Sequence, residues 1–173
     1  MGKKERANKP EDAADGRDAR DVRRAIRRLG LIESNQPLEA WYAQARTQLP
    51  EESVQRYYDF KTGTPDENFY EFTYQDYDHA RVFHASWSSH ALESELVWMI
   101  SRLRSALNRV EPERRFLIEL GAGHGAAAAI VSSVLKVPVL TIDPEPAALG
   151  LPEQFATRTG GDVTSITASA VDL

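Results

Sequence analysis

Phe116-Leu117-Ile118-Glu119-Leu120-Gly121-Ala122-Gly123-His124-Gly125 decides the fold of this 173-residue chain. The stretch sets a glycine-rich turn where a short apolar strand hands over to a helix. Residues 116–120 are apolar except for Glu119, and the following Ala126-Ala127-Ala128-Ala129-Ile130-Val131-Ser132-Ser133-Val134-Leu135 favours a helix, so strand, turn and helix succeed one another without a linker. Glycine tolerates positive φ and lets backbone approach closely, and the first amides of a helix have no intrahelical acceptor. Such a corner is suited to a small charged ligand.

Working outward toward the C-terminus, Val137 to Ile142 reads as a second strand and ends in Asp143, 22 positions after Gly121. An acid at that tip is placed to accept hydrogen bonds from the two hydroxyls of a ribose. Leu151 to Arg158 reads as a second helix and Val163 to Ala168 as a third strand. The expected fold is α/β: a Rossmann-like parallel sheet built strand-helix-strand-helix-strand, preceded by an α-helical N-terminal region.

The run Glu119-Leu120-Gly121-Ala122-Gly123-His124-Gly125 resembles the first motif of the class I S-adenosylmethionine-dependent methyltransferases, acid-x-Gly-x-Gly-x-Gly, without a departure. The resemblance implies bound S-adenosyl-L-methionine, with Glu119 near its methionine end, Gly121, Ala122, Gly123 and Gly125 beneath it, and Asp143 on the ribose. It covers residue 116 to about 173. His124 fills a variable position of the motif and is read as an exposed turn residue. At the third strand the family carries an acid near the adenine, where this chain has Ser169; Ala170 is left to supply a backbone contact, and Asp172 is read equally as a helix N-terminal charge. The family's sheet has seven strands and this sequence supplies three. The expectation is therefore the front part of a longer enzyme or a truncated copy, binding cofactor weakly and not turning over alone, with an open edge on the first strand that invites a homo-oligomer.

Two other readings stay open. Gly121-x-Gly123-x-x-Ala126 also satisfies the dinucleotide fingerprint of an NAD(P)-binding oxidoreductase fragment, although Glu119 would repel a pyrophosphate. The second is a non-catalytic interaction module that pairs through its half-sheet. The methyl acceptor is of no class that the sequence specifies.

Upstream, residues 1–17 read as a polar tail and residues 18–111 as a helical region on the substrate side, ahead of an incomplete cofactor domain at 112–173. Asp18 to Leu29 forms an amphipathic helix with Val22, Ile26 and Leu29 on one face and Arg23, Arg24, Arg27 and Arg28 largely on the other, stopped by Gly30. It fits a nucleic-acid or acidic-membrane surface, or an ordinary helix with a solvated arginine face. The first 30 residues carry ten Lys or Arg against six Asp or Glu, while the whole chain is at −5, which disfavours a broad nucleic-acid footprint. Helices are also expected around Leu38 to Ala45, from Glu51 to Tyr58 and from Ser89 to Val110, with a loop over Phe60 to Asn68. The candidate substrate-side cluster is Phe69, Tyr70, Phe72, Tyr74, Tyr77, His79, Phe83, His84, Trp87 and His90. Within it Tyr74, Tyr77 and His84 are the candidate catalytic residues, able to take a proton from an acceptor. No zinc-like spacing is present. The chain has no cysteine, no secretory signal and no apolar run of bilayer length, which fits a cytoplasmic protein and no membrane partner.

Overall fold

The computed structural model describes residues 10–30, 37–64, 68–85, 89–169 and 171. Six helices come first: α1 (Pro10–Arg28), α2 (Leu38–Ala45), α3 (Glu51–Thr62), α4 (Phe69–Thr73), α5 (Tyr77–Ala85) and α6 (Ser89–Leu107). The α/β part follows as β1 (Leu117–Leu120), α7 (Ala126–Leu135), β2 (Val139–Asp143), α8 (Leu151–Thr159) and β3 (Val163–Thr167). The three strands are parallel, in the order β1-β2-β3. The expected Rossmann-like half is present. Among the described residues no helix is long and apolar enough to cross a membrane.

Two helices run well past their expected bounds, and α6 stops at Leu107 instead of Val110. Helix α1 starts at Pro10, so residues 10–17 of the expected tail are helical. Proline suits the first turn, where its missing N–H has no intrahelical partner. The rest of that tail lies outside the described residues. Helix α3 runs on to Thr62 instead of yielding to a loop at Phe60, and stops at Gly63 (φ 85°), where the Thr64 amide bonds the Asp59 carbonyl at 2.9 Å. This is a glycine C-cap, and the helix needs no earlier stop.

Strand register sorts the sheet's two faces. Leu117 pairs with Val139 and Val139 with Val163, and these three share the face that packs on the helices. Their core takes Val22, Ile26 and Leu29 from α1, Leu96 and Ile100 from α6, Ile130 from α7 and Phe155 from α8. Fully burying a side chain such as Phe155 stabilises by roughly 1.5–3 kcal/mol. The alanines of α7 keep that helix close to its neighbours, and the hydroxyls buried with it are bonded: Ser132 to the Val137 carbonyl (2.8 Å), Ser133 to the Thr159 carbonyl (2.8 Å) and Thr159 to the Ala129 carbonyl (3.1 Å). The alternate face is only partly covered. Ile142 at its centre is buried, but Phe116, Ile118 and Leu120 are 59, 53 and 56% exposed, and Ile166, which pairs with Ile142 as Ile142 does with Leu120, is exposed on the same face.

A smaller core of Trp41, Val54, Tyr57, Phe69 and Val82 joins α2 to α5, with Trp41 edge-on to Tyr57 at 5.0 Å and Phe60 stacked on Phe69 at 4.3 Å. Of the expected aromatic cluster, Phe69 belongs to this core and Tyr77 to the larger one, while the side chains of Tyr70, Phe83, His84, Trp87 and His90 lie outside the described residues.

Candidate functional site at the glycine turn

Between β1 and α7 the chain turns sharply. Gly121, Gly123 and Gly125 take φ values of 68°, 54° and 76°, a region costly for residues with a Cβ. The Gly121 amide bonds the Ile142 carbonyl at 2.8 Å, which pins the turn to β2. The Gly123 amide bonds Asp143 Oδ2 at 2.7 Å, and the Gly125 amide bonds the Ala122 carbonyl at 2.9 Å. All three glycine amides are thus spent within the protein. The turn therefore offers the absence of side chains at its glycines and not bared N–H groups.

Asp143 stands at the tip of β2, as its place in the sequence indicates. Its Oδ1 accepts from the Glu145 amide at 2.9 Å, so each oxygen already holds one bond. A carboxylate offers about four acceptor positions, which leaves room for a hydroxyl donor. Glu119 pairs with Thr141, two residues before Asp143, so the two acids occupy the same face of the sheet. Glu119 Oε2 is buried without a hydrogen-bond partner among the described residues. Burial pushes the Glu119 carboxyl above its ordinary pKa, and the Ala128 amide at the start of α7 pulls it partly back.

His124 corrects an expectation. It is 5% exposed rather than a surface residue of the turn. Its ring stacks on Tyr74 (4.5 Å between centroids), and Nε2 lies 3.0 Å from Thr73 Oγ1. Burial lowers its pKa to about 4, against smaller upward pulls from Thr73 and the Asp143 charge. The turn is therefore roofed by the end of α4. The Tyr74 hydroxyl is 3.3 Å from where a Cβ on Gly123 would lie, which puts this candidate beside the turn.

Tyr77 is elsewhere. Its hydroxyl donates to the Leu29 carbonyl at 2.7 Å, its ring meets Phe155 at 4.8 Å, and Arg158 covers it at 3.8 Å. It ties α1 to α8 from within the core and does not reach the turn. The side chain of His84, and Ala170 as a whole, lie outside the described residues, as does Asp172.

Sequence reasoning missed Pro152. A Cβ on Gly125 would fall 2.4 Å from Pro152 Cβ, so the turn is packed against the first turn of α8. The crevice between the tips of β2 and β3, lined by Gly123, Asp143, Leu149, Pro152 and Ile166, holds only about 10 Å³, whereas small-molecule pockets begin at about 300 Å³. A Cβ on Gly121, by contrast, would meet nothing within 4 Å. The accessible side of the turn is the β1 side. Among the described residues no group of three His, Asp or Glu side chains is placed to hold a metal ion.

These elements define the class: a helix-flanked half of a doubly wound parallel sheet, with two acids and a glycine turn at the carboxyl end of its strands. No family model, curated protein or solved structure matches the chain.

Proposed function

We propose that the turn binds S-adenosyl-L-methionine and that the chain belongs to methyl-transfer chemistry. One observation carries this reading: the acid at the tip of β2 is bonded, at 2.7 Å, to the middle glycine of a three-glycine turn at the β1–α7 corner. Asp143 would keep acceptor positions for the ribose hydroxyls, and Glu119 lies on the same sheet face with a partnerless oxygen, suited to the ammonium or sulfonium end of the cofactor. Gly121 would underlie it on the open side, with Ala122 and Gly123 next to it in the turn, while Gly125 sits behind them against Pro152. The cofactor supplies an activated methyl group for in-line displacement, and the protein's part is alignment, which contributes roughly 7–11 kcal/mol in favourable cases. Tyr74 is the candidate nearest the turn for moving a proton from the acceptor. The narrow crevice at the tips of β2 and β3 means that the segment carrying Leu149 must shift before an adenine enters there. A chain without cysteine is compatible with a cytoplasmic setting.

Thermal shift with S-adenosylhomocysteine and with NAD tests the reading. Ligand at 100 times its dissociation constant adds about 2.7 kcal/mol to the folded state. Stabilisation by S-adenosylhomocysteine, reduced at least tenfold in affinity by Asp143→Ala, is the expected result; stabilisation by NAD alone overturns it. The bare sheet face favours a second reading, an interaction module. Stable association of the purified chain without response to either nucleotide would select that one.

A further inference from the structure

A second feature lies at the far end of α7. That helix has ten residues, so its C-terminus is about 15 Å from the glycine turn. There α1 and α7 enclose a groove of about 540 Å³ walled by Arg17, Arg20, Arg24, Arg28 and Lys136, with Asp21 as the sole acid among its lining residues. The arginines recur along one face of α1 over eleven positions, about 16 Å of helix. Arg17 and Arg24 share Asp21 at 3.8 and 3.2 Å, and Arg28 donates to the Thr159 carbonyl at 3.0 Å. Arg20 and Lys136 have no ion-pair partner among the described residues. The chain's net −5 is therefore carried elsewhere, and this groove is locally cationic.

Lys136 adds an independent observation. It is the one non-glycine residue with positive φ (58°) among the described residues, at the C-cap of α7. Glycine or asparagine ordinarily takes that position, because a Cβ there costs roughly 1–2 kcal/mol. A lysine is held there at the expense of backbone strain, and it lines the groove.

We propose that this groove binds the phosphodiester backbone of a nucleic acid, without reading its sequence. A line of guanidinium groups matches a line of phosphates, which along one strand of a duplex recur at about 3.4 Å of axis. A membrane surface fits less well. An interfacial helix must present an apolar face to lipid, and that face of α1 (Val22, Ala25, Ile26, Leu29) is at most 6% exposed, buried in the core. The assignment does not rest on the cofactor reading, since the groove and the turn occupy opposite ends of α7.

Fluorescence anisotropy with a labelled 16-nucleotide RNA and a 16-base-pair DNA duplex, at several salt concentrations, tests it. The expected dissociation constant is roughly 1–100 μM, as for non-specific binding. Each phosphate contact contributes about 0.7–0.9 to the slope of log affinity against log salt, so Arg20→Gln with Lys136→Gln should flatten that slope by roughly 1.4–1.8. Both residues are exposed and unpaired, so the double variant keeps its fold; its circular dichroism spectrum and melting temperature check this. Arg102→Gln with Arg109→Gln, away from the groove, should leave the slope unchanged. The proposal is overturned by absence of binding at low salt, by equal loss in both double variants, or by association only with vesicles of phosphatidylserine and phosphatidylcholine.

Discussion

A methyl group added at Gly125 would sit 2.4 Å from Pro152 Cβ on a backbone with φ 76°, whereas one added at Gly121 would meet open space at φ 68°. Strain and overpacking together make Gly125→Ala costly, by about 2–4 kcal/mol in chemical denaturation. Gly121→Ala pays only the conformational term, roughly 1–2 kcal/mol. If the open side of the turn seats the cofactor, Gly121→Ala loses S-adenosylhomocysteine affinity out of proportion to that small loss of stability. Titration calorimetry on the folded variant measures it. His124 yields a pH prediction. Its folded pKa of about 4 lies below the 6.5 of the free side chain, so between those values only the unfolded chain takes the proton. Its contribution is complete above pH 6.5 and declines as pH falls toward 4, by about 3 kcal/mol at 1.36 kcal/mol per unit. Urea melts at pH 4.5 and 7 should differ less for His124→Phe than for the natural chain. Glu119, with a raised pKa, acts oppositely and weakens the fold as pH rises through the carboxylate range. For Tyr77→Phe the expected change is a stability loss of about 1 kcal/mol, from the stranded Leu29 carbonyl, with cofactor affinity untouched.

At the scale of elements, most of the secondary structure could be read from the chain, because apolar periodicity, proline and glycine act locally. Both α7 and the start of α8 fall where expected, and the strands lie within two residues of expectation. The exceptions have physical causes. His124 is buried because Thr73 and Tyr74, some fifty positions upstream, close over it, and no local pattern encodes such a contact. The employment of the glycine amides depended on Asp143 reaching back to Gly123, which requires the register of β1 on β2. Helix pairing shows the same dependence on distant partners. Asp18 is 1% exposed and takes Arg104 of α6 at 2.6 Å, which fixes α1 on α6. Asp18→Ala should cost about 1.5–3 kcal/mol by thermal melting, since a charged hydrogen bond is lost while Arg104 can still reach water.

Across the whole molecule, apolar surface is unevenly covered. One face of the sheet carries two helices, and the other shows Phe116, Ile118, Leu120 and Ile166 to solvent. The two lateral margins of the sheet also differ. At β3, Glu153 takes both the amide and the hydroxyl of Ser165, and the Gly150 amide donates to the same hydroxyl at 3.1 Å. At β1 no comparable side chain intervenes among the described residues. Sedimentation velocity should therefore show concentration-dependent association that Ile118→Lys with Leu120→Lys abolishes. Growth of this sheet would have a direction: a carboxylate guards one flank, and a further strand, whatever polypeptide brought it, would be recruited at the other, next to the turn where the ligand would lie. Occupancy of that flank and occupancy of the turn would then be coupled by adjacency alone.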